Sequence, residues 1–152
     1  MLYGVSPFID STAQDEGLRP VMTLRSRVIA IKKLRAGDEV GYGGCWRCPE
    51  DMMLGVVAIG YGDGYPRSIQ SDTPVLINGQ RLPIVGRVSM DMLTIDLRQQ
   101  PGVVVGDEVI LWGEGLAVEE IAARAETIGY DLLCGVTPRV RFVECTDEGS
   151  VQ

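Results

Sequence analysis

The chain contains no histidine, and Lys32 and Lys33 are its only lysines. Without histidine, neither a Ser-His-Asp nor a Cys-His arrangement can be assembled from within it. The two lysines are adjacent on a polar stretch, unlike the desolvated amine of a Schiff-base lysine. Chemistry done here must therefore use tyrosine, aspartate, glutamate, arginine or backbone groups, or borrow a group from elsewhere. Zinc needs three or four ligands. Cys45 and Cys48 form one C-x-x-C, but Cys134 and Cys145 offer no second pair and there is no histidine to complete a set. No metal site is expected, and the thiols read as free. No apolar run approaches the roughly 20 residues of a membrane-spanning helix. Basic residues are scattered among acidic ones at a formal charge of −7, which argues against a nucleic-acid surface. Met1-Leu2-Tyr3-Gly4 lacks the basic start of a signal peptide, so the expected compartment is the cytoplasm.

What is present is the composition of one ordinary domain. The 152 residues are 45% hydrophobic, and 19 glycines promise many turns. Met22 to Lys33 alternates apolar and polar residues as a half-exposed strand does. Gly37-Asp38 signals a turn, Val40 to Trp46 restarts extended chain, and Pro49 to Asp51 turns again. Met53 to Tyr61 is a continuous apolar run suited to a strand buried on both faces. Val75 to Ile77 and Gln80 to Val85 flank Asn78-Gly79, a pair that tolerates the positive φ angles of a type I′ hairpin. Met90 to Leu97 alternates again, Gly102 to Gly106 reads as a short extended piece, and Gly106 to Glu108 turns into Val109 to Trp112. Val118 to Ile128 alone has helical spacing, with Glu119 and Glu120 at its start and Gly129 as a left-handed stop. Asp131 to Glu144 reads as extended. The fold expected is mainly β, a barrel or sandwich with one late helix. Tyr3 to Phe8 is extended, Asp10 to Gly17 reads as linker, and Cys145 to Gln152 as a polar tail.

Three stretches concentrate unusual residues. In Gly60-Tyr61-Gly62-Asp63-Gly64 a phosphate loop competes with a plain glycine-rich turn. No helical periodicity follows and Asp63 would repel an anion, so the turn, closed by Asp63, is the stronger reading. Gly41-Tyr42-Gly43-Gly44 again holds a tyrosine between glycines, which let a ligand or backbone approach closely. Gly86-Arg87-Val88-Ser89-Met90-Asp91 places Arg87 and Asp91 at the mouth of a strand. Each has a structural alternative, packing tyrosines in the first two and a surface Arg87–Asp91 ion pair in the third.

Together, Tyr3-Gly4, Gly41-Tyr42-Gly43, Ala58 to Gly64, Ile84 to Arg87 and Met90-Asp91 resemble the C-terminal domain of bacterial alanine racemase, a fold-type III pyridoxal-phosphate isomerase. The likeness runs from Leu2 to about Glu144 and implies a β-barrel-like domain over residues 19–145. Residues 1–18 would be the end of a preceding TIM-barrel domain and a linker, with Tyr3-Gly4 in the barrel's last strand, and 146–152 the tail. It implies that Tyr42 takes or gives the Cα proton of cofactor-bound alanine on one face, while the cofactor lysine lies in the TIM-barrel domain. A free tyrosine titrates near pH 10, so Tyr42 would need a charged or hydrogen-bonding neighbour from that domain. Tyr61 would narrow the passage and, with the Met90 amide, meet the substrate. Asp63, Arg67, Arg87 and Asp91 would line the entrance, the arginines attracting the carboxylate. The resemblance further implies a cytoplasmic homodimer that makes D-alanine, a peptidoglycan precursor. Without the cofactor lysine the isolated chain is expected to be inactive. Cys134 to Arg139 lacks the tyrosine with which some members touch the cofactor phosphate, so that contact is not carried over. A serine racemase of the same architecture and a non-catalytic β-barrel interaction module are the alternatives.

Overall fold

A computed structural model describes residues 3–8, 11, 13 and 15–145, with Tyr42 described through its backbone alone. The Tyr42 side chain and the expected tail, 146–152, lie outside the described residues. The strands are β1 (Leu24–Leu34), β2 (Glu39–Val40), β3 (Trp46–Arg47), β4 (Met52–Val57), β5 (Pro74–Ile77), β6 (Gln80–Val85), β7 (Leu93–Asp96) and β8 (Glu108–Trp112). Two helices follow, α1 (Val118–Arg124) and α2 (Gly129–Gly135). Six strands close a barrel in the order β1-β4-β7-β6-β5-β8, and every pairing is antiparallel.

Closure depends on the length of β1. Its first part, Leu24 to Arg27, pairs with β8, and Val28 to Leu34 pairs with β4. The register slips between Val28 and Ala30, where Ile29 bulges out and the strand bends from one neighbour to the other. The interior is filled by Val28, Val57, Ile77, Leu82, Ile84, Ile95, Val109 and Leu111. The Asn78-Gly79 hairpin forms as its sequence requires, with φ of 49° and 76° at the two turn residues.

The apolar run at β4 is buried on both faces because a second small core covers its outside. Val40, in β2, and Cys48, just after β3, pack with Met52, Leu54 and Val85. The hairpin replaces the continuous extended segment expected from Val40 to Trp46. The glycines 41, 43 and 44 all adopt positive φ, and a single 3-10 turn at Tyr42–Gly44 interrupts the strand.

The helical region departs furthest from expectation. Among the described residues there are two late helices rather than one. The first ends at Arg124, not Ile128, because the Thr127 amide reaches back to the Ala122 carbonyl and the Glu126 amide to that of Ala123. This is a Schellman stop, with Glu126 at φ 57° in the place usually taken by glycine. Gly129 does not stop α1. It begins α2, where a Cβ would sit 2.8 Å from the Val5 side chain. The segment from Asp131, expected to be extended, is therefore helical as far as Gly135. Gly102 to Gly106 also forms no strand; it is a pair of turns that buries Val103 and lies along β1 through Gly106 N–H to Val28 O (2.8 Å).

Tyr3-Gly4 is a turn rather than a strand. The segment after it is fastened to the helices. Val5 is buried in the main core, and the Glu119 carboxylate accepts from the amides of Ser6 (2.8 Å) and Ala13 (3.1 Å).

Gly55 faces the barrel interior, where an added Cβ would lie 2.7 Å from Ile95 Cγ1. Gly55→Ala should therefore destabilise the chain by about 1–3 kcal/mol through overpacking. Urea unfolding reads this directly, and an unchanged midpoint would place Gly55 outside the packed interior.

Candidate functional site

The antiparallel order brings two long loops to the same end of the barrel. Val57 at the end of β4 pairs with Leu93 at the start of β7, and Val85 at the end of β6 pairs with Thr94. Residues 58–73 and 86–92 therefore leave the barrel side by side. The β2–β3 hairpin, which begins at the opposite end, lies back along β4 and brings Gly41 to the same place. A Cβ on Gly41 would stand 2.8 Å from the Arg87 amide nitrogen. All three glycine-rich stretches of the sequence thus meet at one rim.

Backbone contact joins the two long loops. Gly60 has an extended backbone, and Tyr61–Asp63 forms a 3-10 turn. The Tyr61 N–H donates to Ser89 O (3.0 Å) and the Gly62 N–H to Met90 O (2.9 Å). A Cβ on Gly60 would run into the carbonyls of Ser89 and Met90, and one on Gly62 into the Arg139 guanidinium. These two glycines serve close approach. Gly64, at φ 101°, supplies the left-handed residue that ends the turn and packs on the Gly135 carbonyl.

Asp63 uses both carboxylate oxygens. Oδ2 accepts from the Gly60 N–H (2.9 Å), closing the turn as expected from its sequence, and Oδ1 meets Arg139 Nε at 3.2 Å. The same guanidinium donates through Nη2 to Asp91 Oδ1 at 2.6 Å. Asp91 is thus paired with Arg139 and not with Arg87, which corrects the surface pair considered for the third stretch. The two carboxylates hold the Arg139 guanidinium in its charged form, raising its pKa, with the Asp91 hydrogen bond the larger cause. Thr137 fastens the segment carrying Arg139 to the first loop, its N–H donating to Asp63 O (3.0 Å) and its hydroxyl to Gly62 O (2.8 Å).

Arg67, Arg87 and Cys45 line one groove of about 600 Å³ beside these loops. Neither arginine has an ion-pair partner among the described residues; the Arg67 guanidinium lies 5.9 Å from the centre of the Tyr61 ring. Tyr61 and Met90 are exposed, at 43% and 49%. The Met90 carbonyl is engaged by Gly62, whereas its N–H has no acceptor among the described residues. The rim therefore offers two cations, a free backbone donor and an aromatic wall. That set suits a small anionic group such as a carboxylate.

The model of the family "Alanine racemase, C-terminal domain" matches residues 21–144. The chain belongs to this family. Alanine racemase of Nitrosococcus oceani is 61% identical over 140 residues, covering 92% of the chain and 39% of that protein. Alanine racemase of Coxiella burnetii is 59% identical over 149 residues, covering 95% of the chain and 41% of that protein. Among solved structures, the biosynthetic alanine racemase of Pseudomonas aeruginosa superimposes with a TM-score of 0.89 at 47% identity, over 91% of this chain and 39% of that one. The chain thus spans about two-fifths of the length of these racemases. The closed barrel is the fold expected of an alanine racemase C-terminal domain, with a second helix in place of extended chain after α1.

In this racemase domain the sequence reading missed three residues of the rim and its support: Arg139, Thr137 and Tyr65. Arg139 and Thr137 lie in the stretch beyond the unforeseen α2, so nothing local tied Thr137 to Gly62, 75 residues away, or Arg139 to Asp91, 48 residues away. Tyr65 follows the glycine-rich turn, is buried, and stacks on Trp112 with ring centres 5.8 Å apart and planes at 14°. It anchors the base of the first loop in the main core.

Burial pushes the Tyr65 phenol well above its ordinary pKa. Its folded value exceeds its unfolded one, so its contribution is intact below pH about 10 and is lost as pH rises beyond that. Stability should fall above pH 10 by up to about 1.4 kcal/mol per pH unit from this group. Tyr65→Phe should flatten that fall, measured by urea unfolding across pH 9–11. An equal fall in the variant would remove Tyr65 as its source.

Proposed function

We propose that the chain is the C-terminal domain of a pyridoxal-phosphate-dependent alanine racemase and forms the substrate entrance and one proton-transferring wall of its active site. The observation that carries this is the rim itself: among the described residues the Met90 N–H has no acceptor, and on the same two loops Arg67 and Arg87, without ion-pair partners among those residues, line one groove. In this reading Met90 N–H binds the alanine carboxylate and the two arginines draw it in. Tyr61, steadied by Arg67, narrows the passage to a small side chain. The Tyr42 phenol oxygen takes or gives the Cα proton on one face. Gly41 supports this role by holding the backbone before Tyr42 against Arg87. Asp63 and Asp91 belong to the entrance wall.

The rim residues fit one side of a cofactor site but not its covalent anchor. Lys32 and Lys33 pair across β1 with Leu54 and Met53, toward the opposite end of the barrel, and the rim contains no lysine. Pyridoxal phosphate, when bound, makes the Cα proton removable by withdrawing electrons from that carbon. Its lysine would belong to a TIM-barrel domain preceding this one, in a cytoplasmic homodimer in which this domain closes the partner's site. The isolated chain would then be inactive.

Grafting residues 19–145 in place of the corresponding domain of the Nitrosococcus oceani racemase should give an enzyme that interconverts L- and D-alanine and prefers alanine to serine. Tyr42→Phe in that enzyme should lower kcat by about 10²–10⁴, the usual worth of a positioned acid–base, with the cofactor still bound by its visible absorption. A folded, cofactor-loaded graft without racemisation would favour the non-catalytic module. A preference for serine would favour the other racemase, and undiminished turnover in the Phe variant would refute the role of Tyr42.

A further inference from the structure

Among the described residues, Arg139 is the one cation paired with carboxylates of both entrance loops. It reaches Asp63 on the first loop and Asp91 on the second, from a third segment fastened by Thr137. An exposed ion pair is ordinarily worth little. This arrangement differs from an isolated pair in two respects. Asp63 is only 14% exposed at its side chain and has its other oxygen committed to the Gly60 N–H. The guanidinium also occupies the space that a Gly62 side chain would fill, so the loop is shaped around it.

Two consequences follow from the placement. The carboxylates of Asp63 and Asp91 stand at a rim where an incoming carboxylate must pass, and uncompensated they would repel it. Arg139 offsets one of those two charges and contacts both carboxylates, so that Arg67 and Arg87 outweigh the one that remains. The same contacts tie Asp63 to Asp91 across the backbone bonds from Tyr61 and Gly62 to Ser89 and Met90. The position of the Met90 N–H is thereby fixed relative to Tyr61.

We propose that Arg139 is a positioning residue that locks the Tyr61–Asp63 turn to the Met90–Asp91 loop and masks their two carboxylates, so that the entrance admits the carboxylate of an amino acid. This rests on the racemase reading for its kinetic consequence, whereas the lock itself can be read in the chain alone. Arg139→Lys keeps the charge but not the forked geometry, and Arg139→Gln keeps neither.

Two measurements test it. In the 152-residue chain, amide hydrogen exchange at Tyr61 and Gly62 should quicken by about tenfold in Arg139→Gln, with exchange in β4 and β7 unchanged, since local opening is read separately from global unfolding. Unchanged exchange at Tyr61 and Gly62, or a rise shared equally by the strands, would overturn the lock. In the grafted racemase, Arg139→Gln should lower kcat/KM by about tenfold through KM, with kcat largely kept. Asp63→Asn with Asp91→Asn should restore much of that loss, with Arg139→Lys intermediate. A kcat/KM equal to that of the unmodified graft, or no recovery in the triple variant, would overturn the masking role. An unmodified graft without activity would instead count against the racemase reading, and the exchange result would still decide the lock.

Discussion

The site depends on two backbone bonds between loops that are distant in sequence, from the amides of Tyr61 and Gly62 to the carbonyls of Ser89 and Met90. Neither can form unless residues 60 and 62 lack side chains, since a Cβ at either would strike the facing loop or the guanidinium behind it. The contact engages the Met90 carbonyl, while its N–H has no acceptor among the described residues. It also brings Asp63 within reach of the cation that holds Asp91. The engagement of both carbonyls thus follows from a steric requirement, the close approach that residues 60 and 62 allow.

The barrel makes that contact reproducible. Because β4, β6 and β7 are antiparallel neighbours, the loops they emit start at fixed separation, and the register Val57↔Leu93 and Val85↔Thr94 sets it. Tyr65, stacked on Trp112 within the main core, secures the far side of the first loop. The small outer core at Val40, Cys48, Met52, Leu54 and Val85 plays the same part for the β2–β3 hairpin. Burial raises the pKa of the Cys48 thiol, as suits a packing residue. Rigid apolar packing thus lies beneath each mobile-looking glycine stretch, as a preorganised binding rim requires.

Much of this was legible in the residues. The Asn78-Gly79 hairpin, the β1 alternation and the largely buried β4 follow from turn chemistry and periodicity and are present, although β4 ends at Val57 and the rest of the run expected to Tyr61 leaves the strand. The convergence of Gly41, Gly60 to Gly64 and Gly86-Arg87 was carried by motif resemblance, because local pattern says nothing about which loops share an end. Two kinds of feature escaped. The end of α1 escaped because Glu126 takes a left-handed conformation that composition assigns to glycine, while Gly129 was needed for contact with Val5. The second helix, seven residues long between glycines, is too short for a 3.6-residue period to emerge. Missing it also hid Arg139, since only the turn of α2 brings residues 137 and 139 back to the rim.

The central claim is that this domain supplies one of two proton-transferring faces to a cofactor held by another domain. Release of the Cα label from L-alanine and from D-alanine, each deuterated at Cα, tests it most directly when followed separately in the grafted racemase carrying Tyr42→Phe. The account predicts that exchange is lost from one enantiomer and retained from the other, because only one face loses its base. Equal exchange from both, at the rate of the unmodified enzyme or at any common reduced rate, would contradict it.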